Sequence, residues 1–172
     1  PLAQAQTRPP IADQSILVVD RERVLRDSAP GRALAAAIQE QRLALQSASA
    51  EVEKAMEAEE TEIDQIRDRL TPQQFEERLR DFDQRVRQVR RDSQEASQAL
   101  HSRVNDARRE LEQALNHVLR DILEERGASV LLNAQTVIMA REEIDITGEA
   151  IDKFSTSSFQ FNFSPPATGD GG

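Results

Sequence analysis

The chain has 172 residues, of which 38% are hydrophobic, 31% charged and only 3% aromatic, with no Cys, Trp or Tyr. So few large apolar residues exclude a compact globule of this size and suit one elongated helical domain with a thin core. A net charge of −9 argues against nucleic acid and anionic lipid as main partners, and the absence of Cys excludes a disulfide framework, a thiolate nucleophile and a thiolate metal site.

Residues 1 to 14 are polar, hold three prolines and show no period, which predicts a flexible lead-in. Within them Ala3-Gln4-Ala5 has the small-x-small pattern that ends a secretory signal peptide, so residues 1–5 are a candidate signal remnant; the alternative is an ordinary alanine-rich segment. "SILVVD", residues 15 to 20, is a β-branched run and the first predicted strand. The pattern then changes at "DSAPGRAL", where a helix is expected to start near Ser28 with Pro30 in its first turn. No apolar run approaches the ~20 residues a helix needs to span a bilayer.

Two long helical arms follow, the first from about Gly31 to Leu70. Leu34, Ile38, Leu45, Ala48, Val52, Ala55 and Ile66 define its heptad seam, interrupted by Gln41, Glu59 and Glu62. Met56, Ile63 and Leu70 form a neighbouring row, as if the apolar stripe drifts around the helix. At ~1.5 Å per residue this arm spans roughly 60 Å. A sharp stop comes next: Thr71 is positioned to cap a second helix, with Pro72 in the first helical position and Gln74 three residues after the cap. The second arm carries Phe75, Leu79, Phe82, Val86, Val89, Ser93, Ala96 and Leu100 at alternating spacings of four and three. A stutter separates Leu100 from Val104, and the stripe continues through Ala107, Leu111, Leu115, Val118 and Ile122 to a left-handed stop at Gly127. This arm spans roughly 80 Å.

Charge supports folding the arms together. Seven acidic residues between 51 and 64 (Glu51, Glu53, Glu57, Glu59, Glu60, Glu62, Asp64) would lie opposite six arginines between 78 and 91 if the chain turns about Thr71. Exposed pairs are worth at most ~1 kcal/mol each, so such a pattern sets register more than stability. The alternative is two unrelated solvated charge runs.

After Gly127 the period changes again. "SVLLN" (129 to 133) and "TVIMA" (136 to 140) read as two strands joined in a hairpin. "DITGEAIDKF" (145 to 154) reads as a short helix capped by Thr147. Residues 155–172, rich in Ser, Gly and Pro, are expected to form a disordered tail, within which Phe159, Phe161 and Phe163 alternate as in a strand. Asn162-Phe163-Ser164 matches a glycosylation sequon, a pattern common by chance.

Catalytic constellations are missing from this pattern. His101 and His117 lie sixteen apart on one helix and are expected to be solvated or packed at a seam. There is no phosphate-cradling glycine loop, nucleophile elbow or helical His-Glu-x-x-His, and the many carboxylates sit on long exposed faces. The expectation is a protein that is not an enzyme and takes no cofactor and no metal.

The order strand, long helix, tip, long helix, strands, short helix resembles the Skp/OmpH family of periplasmic chaperones. The resemblance covers about residues 15 to 154 and is carried by "ILVVDRERVLRDSAPGRAL" at one end and "ASVLLNAQTVIMAREEIDITGEAIDKF" at the other. It implies a mainly α fold with a small β body: a β oligomerisation body from 15–30 and 127–154, and a helical hairpin tentacle over 31–126 with its tip near 71. Three chains would form a jellyfish-like homotrimer. The function implied is an ATP-independent holdase for unfolded outer-membrane β-barrel proteins in the periplasm. Within that picture Val18, Leu131 and Ile138 are the candidate oligomerisation core. Met56, Phe75 and Phe82 are candidate client contacts, each with the alternative of packing inside its own hairpin. One departure stands out, since well-known members are basic. Here the first arm holds 5 Lys+Arg against 9 Asp+Glu over 31 to 70, and the second 11 against 12 over 71 to 126. Lipopolysaccharide and direct membrane contact are therefore not carried over. A structural coiled-coil spacer or scaffold is the competing reading.

Overall fold

The computed structural model describes residues 16–163; the signal-like residues 1–5, the rest of the lead-in and the end of the tail lie outside the described residues. The elements are β1 (Ile16–Val19), α1 (Arg21–Asp27), α2 (Ala29–Ile66), α3 (Pro72–Glu125), β2 (Val130–Asn133) and α4 (Thr147–Thr156), so the protein is mainly helical with one small sheet. They fall into two compact units. The first takes the described residues up to Leu34 together with Ala107–Asn162, and the second takes Ala35–Asp106 with Phe163. The start of α2 up to Leu34 and the end of α3 from Ala107 thus belong to the sheet-bearing unit.

In the first unit β1 and β2 pair in parallel, with Leu17 opposite Leu131 and Val18 opposite Leu132. A parallel pair needs a long crossover, and the whole stretch between the two strands supplies it. The expected hairpin of 129–133 with 136–140 does not form. Asn133 accepts a hydrogen bond from the Gln135 amide (3.2 Å), and Thr136 Oγ1 donates to the Asn133 carbonyl (2.8 Å). This local bonding closes a 3-10 turn over Ala134–Thr136 that diverts the chain. The other edge of β1 is met further along, where the Ile146 amide donates to the Val18 carbonyl (2.9 Å).

A helix that the sequence reading did not separate, α1, starts at Asp20, whose Oδ1 accepts from the Arg23 amide (2.9 Å). It ends at buried Ser28, and α2 begins at once. Gly31 sits against this corner: a Cβ there would lie 1.6 Å from the Leu25 carbonyl oxygen, and its amide donates to Ser28 Oγ (3.3 Å). The Ser-x-x-Gly spacing is therefore dictated by close backbone approach. Leu17, Val18, Val19, Val24, Leu111, Leu115, Leu119, Ile122, Ile146, Ala150 and Phe154 are all buried and form this unit's core.

Thr147 does not cap α4 as expected. It is the first helical residue, and the Asp145 carboxylate accepts both its amide (2.9 Å) and its hydroxyl (2.5 Å). The same hydroxyl oxygen accepts from the Asp20 amide (2.9 Å), linking the start of α4 to the start of α1. At the end of α3 the stop is as read: Gly127 has φ 59°, and the Ala128 amide reaches the Leu123 carbonyl (3.0 Å) while the Gly127 amide reaches that of Glu124 (3.0 Å). That is the Schellman arrangement. Residues 155 and 156, read as tail, continue α4.

In the second unit the tip forms as the capping residues dictate. The Gln74 amide donates to Thr71 Oγ1 (3.3 Å), and the Thr71 amide donates back to Gln74 Oε1 (3.0 Å). Pro72 opens α3, where a missing N–H costs nothing.

Candidate functional site

The second unit is built from the seam between the later turns of α2 and the earlier turns of α3. On α2 the inward row is Leu45, Ser49, Met56, Glu59, Ile63 and Ile66, followed by Leu70 beyond the helix end, all buried or half-buried. With Val52 added, the spacings from Ser49 alternate three and four. The apparent drift of the stripe thus resolves into a heptad that shifts one position between Leu45 and Ser49. Ala48 and Ala55, expected on the seam, are exposed, and Ser49 and Met56 take those places. Polarity at Ser49 hid the shift from a reading that followed apolar residues alone.

Glu59 is a seam residue with a partner rather than a mere interruption. Arg85 Nε donates to its Oε2 (3.3 Å), and a second guanidinium nitrogen donates to Oε1. This bidentate pair joins the acidic block to the basic block, as expected if the chain turns about Thr71. It is partly exposed and so worth at most ~1 kcal/mol.

Further along, the seam is underfilled. On α3, Ser93, Ala96 and Ser97 are exposed, between the half-buried Val89 and the buried Leu100. Facing them are Ala48, Ser49 and Val52. Small side chains from both helices cannot meet at coiled-coil distance and leave an opening of about 700 Å³, lined also by Leu45, Met56, Val86 and Val89. Glu53, Glu57, Arg90 and Asp92 border it, so an apolar floor has a charged rim. Leu43 (55% exposed), Val52 (37%) and Leu79 (39%) add apolar surface that the hairpin leaves uncovered.

The candidate client contacts separate here. Met56 lines this opening, whereas Phe75 and Phe82 do not. All three are half-buried, and Phe75 lies under the Arg67 guanidinium, 5.4 Å from the ring centroid. The oligomerisation candidates separate too. Val18 is buried within its own chain, Leu131 is half-buried in the sheet, and Ile138 is 97% exposed beside Met139 at 88%. Ile16, Val130 and Leu132 extend this apolar surface along the strands.

His101 and His117 are both exposed. Among the described residues no three His, Asp or Glu side chains gather as a metal ion would require, and no helix is long and apolar enough to cross a membrane. What the arrangement offers is uncovered apolar surface with charged borders, chemistry suited to holding another chain.

The model of the family described as outer membrane protein (OmpH-like) matches residues 15–154. The fold is also similar to the crystal structure of a candidate outer membrane chaperone (OmpH-like) from Caulobacter crescentus CB15, with a TM-score of 0.79 at 18% identity over 90% of each chain. Comparison with curated proteins found no match.

Proposed function

This chain belongs to the OmpH-like outer membrane protein family, and on that premise we propose that it is an ATP-independent holdase chaperone. Its clients are unfolded outer-membrane β-barrel proteins, which it keeps from aggregating in the periplasm. The observation that carries this reading is the underfilled seam of the second unit, an apolar opening of about 700 Å³ with a charged rim. A helical hairpin selected only as a spacer gains nothing from small residues such as Ser49, Ser93 and Ala96 in place of large seam residues, because each loses packing. A surface that holds many sequences loosely gains adaptability, with affinity supplied by the number of weak contacts.

The working form is a homotrimer. A two-stranded sheet is marginal by itself, and Ile16, Val130, Leu132, Ile138 and Met139 leave its surroundings apolar and exposed. Assembly through Leu131, Ile138 and the strand that holds Val18 covers that surface.

The test is dilution of a urea-unfolded outer-membrane β-barrel protein into buffer with and without the chain, followed by light scattering without nucleotide. Suppression near one trimer per client supports the holdase. Scattering unchanged at tenfold excess overturns it and leaves the scaffold reading.

A further inference from the structure

The opening in the second unit has a rim of uneven charge. Its α2 side carries Glu53 and Glu57 and its α3 side Arg90 and Asp92, so three carboxylates share the rim with one guanidinium. Asp92 accepts a hydrogen bond from the neutral Gln88 side-chain amide (2.6 Å), and Glu53 and Glu57 are exposed. Along α2 the same face runs on through Glu60 and Asp64, at successive spacings of four, three and four from Glu53, all exposed. Like charges at these spacings repel and oppose the helix that carries them. The arginines of α3 do not relieve them. Glu59 pairs with Arg85, whereas among the described residues no ion pair engages Glu53, Glu57, Glu60 or Asp64. An apolar floor of Val52, Met56, Val86 and Val89 thus lies beside carboxylates that the hairpin itself leaves unpaired.

Resting on the holdase reading, we infer that this opening takes client segments in which a short apolar run is bordered by Lys or Arg. Its volume of about 700 Å³ falls within the ~300–1,000 Å³ range of ligand pockets, room for several side chains of such a run. Lys and Arg lay their methylene stems along apolar surface while the charged head stays in water. A basic residue beside the run therefore reaches the rim without being desolvated. Charge at a rim acts chiefly on selection and association rate, while the apolar floor supplies contact area. A segment bordered by Asp or Glu meets like charge instead. A second copy of this chain is a poor occupant, since it brings a net charge of −9 to an acidic rim. Selection of this kind sorts segments within one unfolded client, holding its cationic stretches and leaving its acidic ones free.

The test uses the full chain and three peptides that share one apolar core of Leu, Val and a single Trp. They differ only in their flanks, which are Lys, Gln or Glu. The chain has no Trp and no Tyr, so emission from the peptide Trp reports binding without protein background. One exposed ion pair changes affinity by at most about fivefold, and the rim has two carboxylates in excess. The Lys peptide should therefore bind about tenfold tighter than the Glu peptide at low salt, with Gln between them. In about 1 M salt, which screens charges beyond ~3 Å, the spread should close. E53Q/E57Q leaves Arg90 and Asp92 to cancel and should bring the three affinities together. E110Q/E112Q makes the same change in net charge at exposed positions of the first unit, outside the opening, and should keep the spread. S93L/A96L fills the opening and should abolish binding of all three peptides while helicity is retained. Equal affinity of the three peptides in the wild type, or an unchanged spread in E53Q/E57Q, overturns the proposal. So does a spread lost equally in E110Q/E112Q, or binding that survives S93L/A96L. Affinity that weakens as chain concentration rises assigns the opening to the arginine block of a second copy and overturns it too. Client scattering measured on the same variants separates the two readings. Peptide binding in the order Lys, Gln, Glu without suppression of scattering sinks the holdase and keeps the site. Suppression with no order among the peptides sinks the site alone.

Discussion

Replacing Gly31 with Ala places a methyl carbon 1.6 Å from the Leu25 carbonyl oxygen, 2.7 Å from its carbon and 3.2 Å from Ser28 Oγ. Carbon and carbonyl oxygen approach no closer than about 3.3 Å even in favourable C–H···O contacts, so α1 and α2 must part by roughly 1.7 Å. The obstruction is backbone, not the end of a flexible side chain, and Ser28, Pro30 and Gly31 around it are buried. Overpacking of this kind costs about 3 kcal/mol or more. For a chain of this length that lowers the unfolding midpoint by about 6–12 °C. Two other glycines serve as controls. At Gly148, in α4, a Cβ meets nothing within 4 Å, so Gly148→Ala should stabilise by about 0.5 kcal/mol through lower unfolded-state entropy and better helix propensity. Gly127 also faces open space but has φ +59°, so Gly127→Ala should cost about 1 kcal/mol from strain alone. Thermal unfolding by circular dichroism, at one fixed chain concentration because assembly shifts midpoints, should rank Gly148→Ala above wild type, then Gly127→Ala, then Gly31→Ala. A Gly31→Ala midpoint within 2 °C of wild type would refute the close approach that defines the Ser-x-x-Gly corner.

At the tip, Thr71→Ala removes one acceptor of a reciprocal pair and should cost about 1 kcal/mol, with faster amide exchange confined to residues near 70–76 and no change in oligomer mass. Ile138→Asp, at a residue 97% exposed within its own chain, should leave monomer helicity unchanged and lower the mass measured by light scattering from trimer towards monomer; an intact trimer would remove Ile138 from the assembly surface. Hydrogen exchange should be fast over 91–99 of α3, where every side chain is exposed, and slow over 111–122, where Leu111, Leu115, Leu119 and Ile122 are buried. Uniform protection along α3 would contradict the underfilled seam.

Local chemistry determined a great deal of this protein by itself. Thr71, Pro72 and Gln74 fixed where α3 starts, and Gly127 fixed where it stops, because capping bonds and a left-handed φ involve only residues within a turn of one another. The family was legible for a similar reason, since its end motifs are short and contiguous in the chain. The tertiary structure decided whatever depends on partners distant in sequence. Apolar periodicity marked 136–140 as a strand, but β1 takes β2 on one edge and Ile146 near the other, and the Asn133–Thr136 turn leads Ile138 and Met139 away. Strand propensity states that a segment suits pairing and says nothing of which edge is vacant. Along the arms, the sequence placed Ala48 and Ala55 on the seam because it weighed side chains by polarity. Packing selected Ser49 and Met56 instead, since position on a heptad is set by the facing helix, and it gave Glu59, read only as an interruption of the seam, a partner in Arg85.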